Sequence, residues 1–216
     1  MRYFRYYYPE KVTPQVYTYV SGFDFENPIK YIDSVLVIAL DMYLGKDYFF
    51  YPLLGLPDYK TYRMRKESIA VDCMSEIARS IIPENKGQYT FLDEMIYQGK
   101  LLYFLDMTFP KTEDSLKIGF KPSQMEWCRK NEANVWGFFM EQNFLYSNDK
   151  KIISRFMDDG PYTPSFEGSS PARTGAFIGW QIVRAYMSNN KTNAKVFFQM
   201  ADSQLILNKS KYKPKK

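Results

Sequence analysis

Residues 90–107 form a stretch that is apolar on most sides and lies between Pro83 and Pro110. Proline is excluded from helix interiors, so the two prolines bracket the segment. A helix that is apolar all round has to be buried. The chain must therefore wrap around one central helix, and this requirement limits its possible folds more than any other feature. Further helical patterns surround it. Residues 67–82 carry Ile69, Met74, Ile77 and Ile81 and stop at Pro83. Ser123 is placed to cap a helix running past Trp127 through to Phe144. Residues 148–157 have the length of a short helix. Ser170 and Pro171 read as an N-cap followed by proline at the first helical position, opening a helix to about Met187. Thr192 is placed to cap a last helix.

Two segments near the start read as strands. Residues 16–20 are β-branched and aromatic and end at the turn signal Ser21-Gly22. Residues 34–40 are a short apolar run. Asn27-Pro28 marks a turn between them, so a hairpin is expected. Residues 41–57 are loop-like, with two glycines, two prolines and many aromatics. Strands first and helices afterwards favour an α+β fold over a doubly wound one. The 216 residues contain no internal repeat and no Gly/Ser-rich break, so a single domain over 1–207 is expected, followed by a basic tail over 208–216.

The chain has no histidine, which excludes Ser-His-Asp and Cys-His nucleophile systems and the usual histidine zinc sites. Its two cysteines, Cys73 and Cys128, cannot make a disulfide scaffold; they form one bond or lie buried as small apolar groups, and burial is expected. The net charge is +5, but the last nine residues hold five lysines and no acid, which leaves a neutral body. A neutral body argues against nucleic acid as a partner. The lysine tail is expected to be solvated and frayed, with contact to anionic lipid or acidic partners as the alternative. The N-terminus is basic and aromatic and lacks the apolar stretch of a signal peptide. The longest aliphatic run, residues 35–40, is far short of the ~20 residues a membrane helix needs. Taken literally, these ends describe a soluble cytoplasmic chain.

The central helix carries the most pointed chemical pattern. Asp93-Glu94-Met95-Ile96-Tyr97 has the spacing of HExxH, in which side chains at i and i+4 grip zinc and the intervening glutamate activates water. Both ligand positions are changed. Aspartate still binds metals, but tyrosine, with an ordinary pKa near 10, is a poor ligand at neutral pH. A competent zinc peptidase is not expected, no metal or cofactor is assigned, and the spacing by itself is a weak pattern.

On the helix opened by Pro171, Arg173, Phe177, Trp180 and Arg184 follow at spacings of four, three and four, with Gln181 beside them. Such a face suits an anion or carboxylate ligand, or it holds buried carboxylates of the central helix. The structural use is expected, with Arg173 or Arg184 facing Glu94 and supplying the positive charge a metal would have supplied. Asp41, directly after an apolar strand, and Asp24, in Gly22-Phe23-Asp24-Phe25, are turn-capping or catalytic acids, and capping is the commoner use. Tyr48, Phe49, Phe50, Tyr51 and Tyr59 form an aromatic binding surface or part of the core, with core expected. Glu126 and Glu132 lie six residues apart and do not share a helix face, so neither makes a third metal ligand.

Taken together, these segments resemble the gliding-motility lipoprotein GldB family of Bacteroidetes. The resemblance is carried by Tyr7 to Pro9, VYTYVSGFDFENPIKY at 16–31, ALDMYLGKDY at 39–48, EMIYQGKLLYFLD at 94–106, KIGF at 117–120, MEWCRKNE at 125–132, SSPARTGAFIGWQIVRAYM at 169–187 and the closing SKYKPKK. It implies a longer N-terminus with a lipoprotein signal and lipobox cysteine, so that this chain begins partway into the family domain. It implies a lipid-anchored envelope location, against the literal soluble reading, with membrane contact only through that anchor. It also implies a distant, helix-rich zincin-like fold in which residues 93–97 are a vestigial zinc helix with a degenerate HExxH. The role it implies is that of a non-enzymatic part of gliding motility and the neighbouring type IX secretion machinery, with envelope proteins as partners.

Three functions compete. A pseudopeptidase acting as an envelope assembly component retains Asp93, Glu94 and Tyr97 as remnants and Arg173, Trp180, Gln181 and Arg184 as binding residues. A hydrolase using carboxylates of the Asp93-Glu94-x-x-Tyr97 helix, with or without a hard divalent metal held by Asp93, Glu94 and another acid, requires a cleft with at least two carboxylates close together. A peptide or glycan binder requires the aromatic rings over 48–59 to be exposed.

Overall fold

The computed structural model describes residues 1–84, 89–166 and 168–214. In chain order the helices are α1 (Arg2–Tyr7), α2 (Phe50–Leu53), α3 (Asp58–Thr61), α4 (Lys66–Ile81), α5 (Phe91–Thr108), α6 (Asp114–Ile118), α7 (Pro122–Lys130), α8 (Glu132–Glu141), α9 (Lys150–Met157), α10 (Thr174–Asn189), α11 (Ala194–Phe198) and α12 (Ser203–Ser210). Three strands, β1 (Gln15–Tyr19), β2 (Ile29–Ile32) and β3 (Val35–Ala39), lie between α1 and α2. The fold is α+β and helix-rich, with a small N-terminal sheet. Two compact units are present, residues 1–81 with 104–119, and residues 82–103 with 120–216.

The first unit is built on the sheet, whose strand order is β1-β3-β2. The expected hairpin between residues 16–20 and 34–40 does not form. Instead β1 runs parallel to β3, with Gln15 opposite Val35 and Tyr19 opposite Ala39. The antiparallel partner of β3 is β2, with Ile29 opposite Ile38 and Ile32 opposite Val35. The turn that closes this hairpin is Asp33-Ser34, with φ of +48° and +65°. Two consecutive positive φ values are what a tight two-residue hairpin requires, and they usually mark themselves by glycine or asparagine. Here Asp33 suits the first position, but Ser34 stands where glycine is usual, so the pair does not read as a hairpin turn.

The sheet packs with α4 over Ile29, Leu36, Ile38, Ala39, Met42, Tyr51 and Met64. Tyr51 is fully buried and donates through its hydroxyl to the Asp41 carbonyl at 2.8 Å. Phe4 and Tyr8 at the end of α1 bury their rings against Phe104, with centroids 6.4 and 5.7 Å away. Asp72 is held from two sides, by Arg63 at 2.6 Å and by the Tyr43 hydroxyl at 3.0 Å. Lys117, also buried, pairs with Asp106 at 2.7 Å.

The second unit packs helices around the first thirteen residues of α5, where Phe91, Leu92, Met95, Ile96, Leu101 and Leu102 are buried as the all-round apolar pattern requires. Contact with α10 is by backbone. A Cβ at Gly99 would lie 2.4 Å from the Gly179 carbonyl oxygen, and one at Gly179 would lie 1.8 Å from that of Met95. Only glycine at both positions lets the two helices approach so closely. Around them Phe91, Phe138, Phe139, Phe144, Phe156 and Phe166 form a cluster of mutually tilted and edge-on rings, the tightest being Phe91 and Phe139 at 4.9 Å.

Several helix boundaries depart from expectation for identifiable reasons. The helix expected to be capped by Ser123 opens two residues earlier, with Lys121 as its N-cap and Pro122 at its first position, and Gln124 Oε1 accepts from the Lys121 N–H. It does not reach Phe144 unbroken. Asn131 leaves helical geometry and donates its side-chain amide to the Trp127 carbonyl at 3.0 Å, which separates α7 from α8. Ser170 does not cap α10, because its hydroxyl bonds to Thr163. The chain turns once more and the helix starts at Thr174, after Arg173 in the left-handed region at φ +58°. The last helical stretch is two helices, capped by Asn193 and Asp202 rather than by Thr192. Residues 208–214 are not a frayed tail: Ser210 is fully buried, and Tyr212 donates to Glu132 at 2.9 Å. Lys215 and Lys216 lie outside the described residues.

Candidate functional site

Residues 93–100 on α5 supply the site. Asp93, Tyr97 and Lys100 stand at i, i+4 and i+7, which places them along one helix face. All three line a cavity of about 180 Å³, closed on another side by Gln199, Met200 and Ser203, with Glu84 contributing a second acid. The i, i+4 pair of the degenerate motif thus shares a cavity. Glu94 is not among the residues that line it.

Glu94 is engaged elsewhere. Its Oε1 accepts from Gln98 Nε2 at 2.8 Å, one turn along the same helix, and its Oε2 accepts from the Tyr89 hydroxyl. Burial raises the Tyr89 phenol, and the bond to the Glu94 carboxylate raises it further, so the phenol stays protonated as a donor. Asp93 caps the entry to its own helix, accepting from the Thr90 N–H at 2.9 Å and the Thr90 hydroxyl at 2.7 Å.

The expectation that Arg173 or Arg184 faces Glu94 is not met. Arg173 precedes the helix rather than extending its face, and its guanidinium lies 3.8 Å from Asp159. Arg184 stacks on Trp180 one turn earlier, 3.7 Å from the ring centroid. Trp180 itself is fully buried, and Gln181 is half-buried. None of these four lines the cavity of Asp93 and Tyr97. Glu94 is itself only half-buried, so a phenol and an amide suffice to hold it.

Lys100 was not singled out by the sequence. Its ammonium donates to the Met200 carbonyl and lies 5.5 Å from the Phe197 ring centroid, yet the residue is only 5 % exposed. Burial lowers its amine to a pKa of about 8. The available signal was a lysine inside a segment otherwise apolar on most sides, three residues beyond the degenerate ligand position.

The remaining candidates have structural roles. Asp41 receives the N–H groups of Ser21 and Phe23 at 2.9 Å and the Ser21 hydroxyl at 3.0 Å, so it caps the turn after β1. Burial pushes its carboxyl up, but the Phe23 and Ser21 donors outweigh this and hold it below the ordinary carboxylate range. Asp24 accepts from Asn27 in the same turn and pairs with Lys30. Glu126 pairs with Lys130 on an exposed helix surface, and Glu132 is buried against Tyr212. The aromatic loop divides: Tyr51 is core, Tyr48 and Tyr59 are half-buried, and Phe49 is exposed. Cys73 and Cys128 are both free and buried. Among the described residues no three Asp, Glu or Cys side chains converge as a metal-binding group, and no helix is long and apolar enough to cross a membrane.

No curated protein and no solved structure matches the chain. The model of one family does, described as gliding motility protein GldB, over residues 1–214. That match spans the sheet, the α5 site and Tyr212, and the chain belongs to the gliding motility GldB lipoprotein family.

Proposed function

We propose that this chain is a catalytically silent, pseudopeptidase-like component of the cell envelope that works with the gliding and type IX secretion machinery through protein partners. Membership of the GldB family supports the association with gliding motility. The silence rests on one observation. In an HExxH helix the glutamate must face the same cleft as the i and i+4 ligands so that it can reach metal-bound water. Here the cavity is lined by Asp93 and Tyr97, while the Glu94 carboxylate accepts from Gln98 and Tyr89. A vestigial zinc helix explains why the spacing persists with its chemistry rewired. Attachment to the membrane would come from a lipid anchor and not from this domain.

The test combines an internally quenched peptide library, assayed with and without added zinc, with photo-crosslinking in intact cells. Turnover at background in wild type and in Glu94→Ala, with crosslinks to envelope proteins, is the expected result. Turnover abolished by Glu94→Ala would overturn the reading.

A further inference from the structure

Lys100 is nine-tenths buried and has no carboxylate in ion-pair contact among the described residues. Its neighbours are one carbonyl oxygen and one aromatic ring. An ammonium carries three donors, so the Met200 carbonyl satisfies one of them. Buried charges are ordinarily paired, because removing them from water is costly. The two acids among the described residues that line the same cavity, Asp93 and Glu84, make no ion pair with Lys100. Along α5, seven residues separate Asp93 from Lys100, a rise of about 10 Å. The cavity therefore has an acidic end and a cationic end, with Tyr97 between them in sequence. Its volume of about 180 Å³ exceeds the ~150 Å³ of an apolar cavity that holds benzene.

We propose that this cavity binds a carboxylate-bearing ligand whose carboxylate pairs with Lys100, and that the Asp93 end favours a ligand with a hydrogen-bond donor or cation at its far side. The carboxylate belongs either to a small free acid or to the C-terminus of a partner polypeptide. The site stands apart from the reading of Glu94, which does not line the cavity, so the fate of one does not decide the other.

The probes are benzoate, a short peptide ending in a free carboxylate, and the amide of each, titrated calorimetrically into the full chain. The acids bind with a Kd of about 1 mM or tighter, and the amides bind at least about tenfold more weakly. Lys100→Met loses the acid-over-amide preference, while Lys100→Arg retains part of it. Should Lys100→Met fail to fold, wild type is titrated at about pH 7 and pH 9.5; the ordinary range of carboxylates lies well below this window, Lys100 loses its proton within it, and acid binding weakens by about tenfold or more. Tighter binding of benzoate assigns the ligand as a small acid, and tighter binding of the peptide assigns it as a chain terminus. Equal binding of acid and amide, no binding of either acid, or undiminished preference in Lys100→Met would overturn the proposal.

Discussion

Gln98 donates its side-chain amide to the Glu94 carboxylate at 2.8 Å, one turn along α5, and the Tyr89 hydroxyl occupies the other carboxylate oxygen. The residue that would activate water in a zinc peptidase is thus a structural acceptor. Replacing Glu94 by alanine leaves the Tyr89 hydroxyl and the Gln98 amide without their shared partner. A loss of about 1–2 kcal/mol is expected, from two charge-assisted bonds discounted for partial exposure. Urea denaturation of Glu94→Ala measures it; unchanged stability would show that the network contributes nothing.

The helix crossing sets a sharper test. Alanine at Gly179 drives a methyl into the Met95 carbonyl, 1.8 Å away in the unrelaxed geometry. Backbone cannot yield as a flexible side chain does, so Gly179→Ala is expected to cost more than about 4 kcal/mol or to abolish folding. Gly137, in the interior of α8, has nothing within 4 Å of where its Cβ would stand. There Gly137→Ala gains about 0.5–1 kcal/mol from helix propensity and the stiffer unfolded chain. Thermal melts of the two variants should move in opposite directions.

Lys100 makes stability depend on pH in a stated direction. Its amine titrates near 8 in the folded chain and near 10.5 in the unfolded one. Between these values the unfolded state binds more protons, so stability rises with pH across that window. Below pH 8 both states are protonated and the folded chain carries the full penalty, about 3 kcal/mol for a shift of this size. Lys100→Met is therefore expected to be more stable than wild type at neutral pH. The difference should shrink as pH rises from about 8 to 10.5. Denaturation curves of both proteins across that range check it, and a wild type that is the more stable at neutral pH would contradict it.

The chain end is tied down by Tyr212, whose hydroxyl donates to buried Glu132 and whose ring meets Trp136 edge-on at 5.3 Å. Desolvation pushes the phenol well above its usual range, with the Glu132 charge adding to it, which keeps the donor proton in place. Tyr212→Phe removes one charge-assisted bond and is expected to lower stability by about 1–2 kcal/mol. Ending the chain at Lys211 also removes the ring contact and should cost more. Equal stability of the truncated and full chains would show the contact to be idle.

What the sequence disclosed follows from how locally each feature is encoded. The apolar periodicity of α4 and α5 and the flanking Pro83 and Pro110 place both helices within about one residue of the structure. The hairpin turn at Asp33-Ser34 lacks the glycine that ordinarily follows asparagine or aspartate in such a turn, and serine at positive φ gives no local signal. The start of α10 departs from the local pattern because Ser170, a good cap by type, is engaged by Thr163 seven residues earlier, a partner no local pattern reveals. At the site, the i, i+4 spacing correctly brought Asp93 and Tyr97 to one cavity. The arginine expected opposite Glu94, Arg184, instead stacks on Trp180 of its own helix, a contact with no polar signature in the spacing. Lys100 and its Met200 acceptor lie 100 residues apart, beyond any sequence spacing argument.

The most direct test of a catalytically silent α5 helix is metal content of the purified protein followed by calorimetric zinc titration, with Glu94→Ala as control. The account predicts no stoichiometric metal and no zinc binding that distinguishes wild type from Glu94→Ala. Tight, one-to-one zinc binding that is lost in Glu94→Ala would contradict it and return Asp93, Glu94 and Tyr97 to a working metal site.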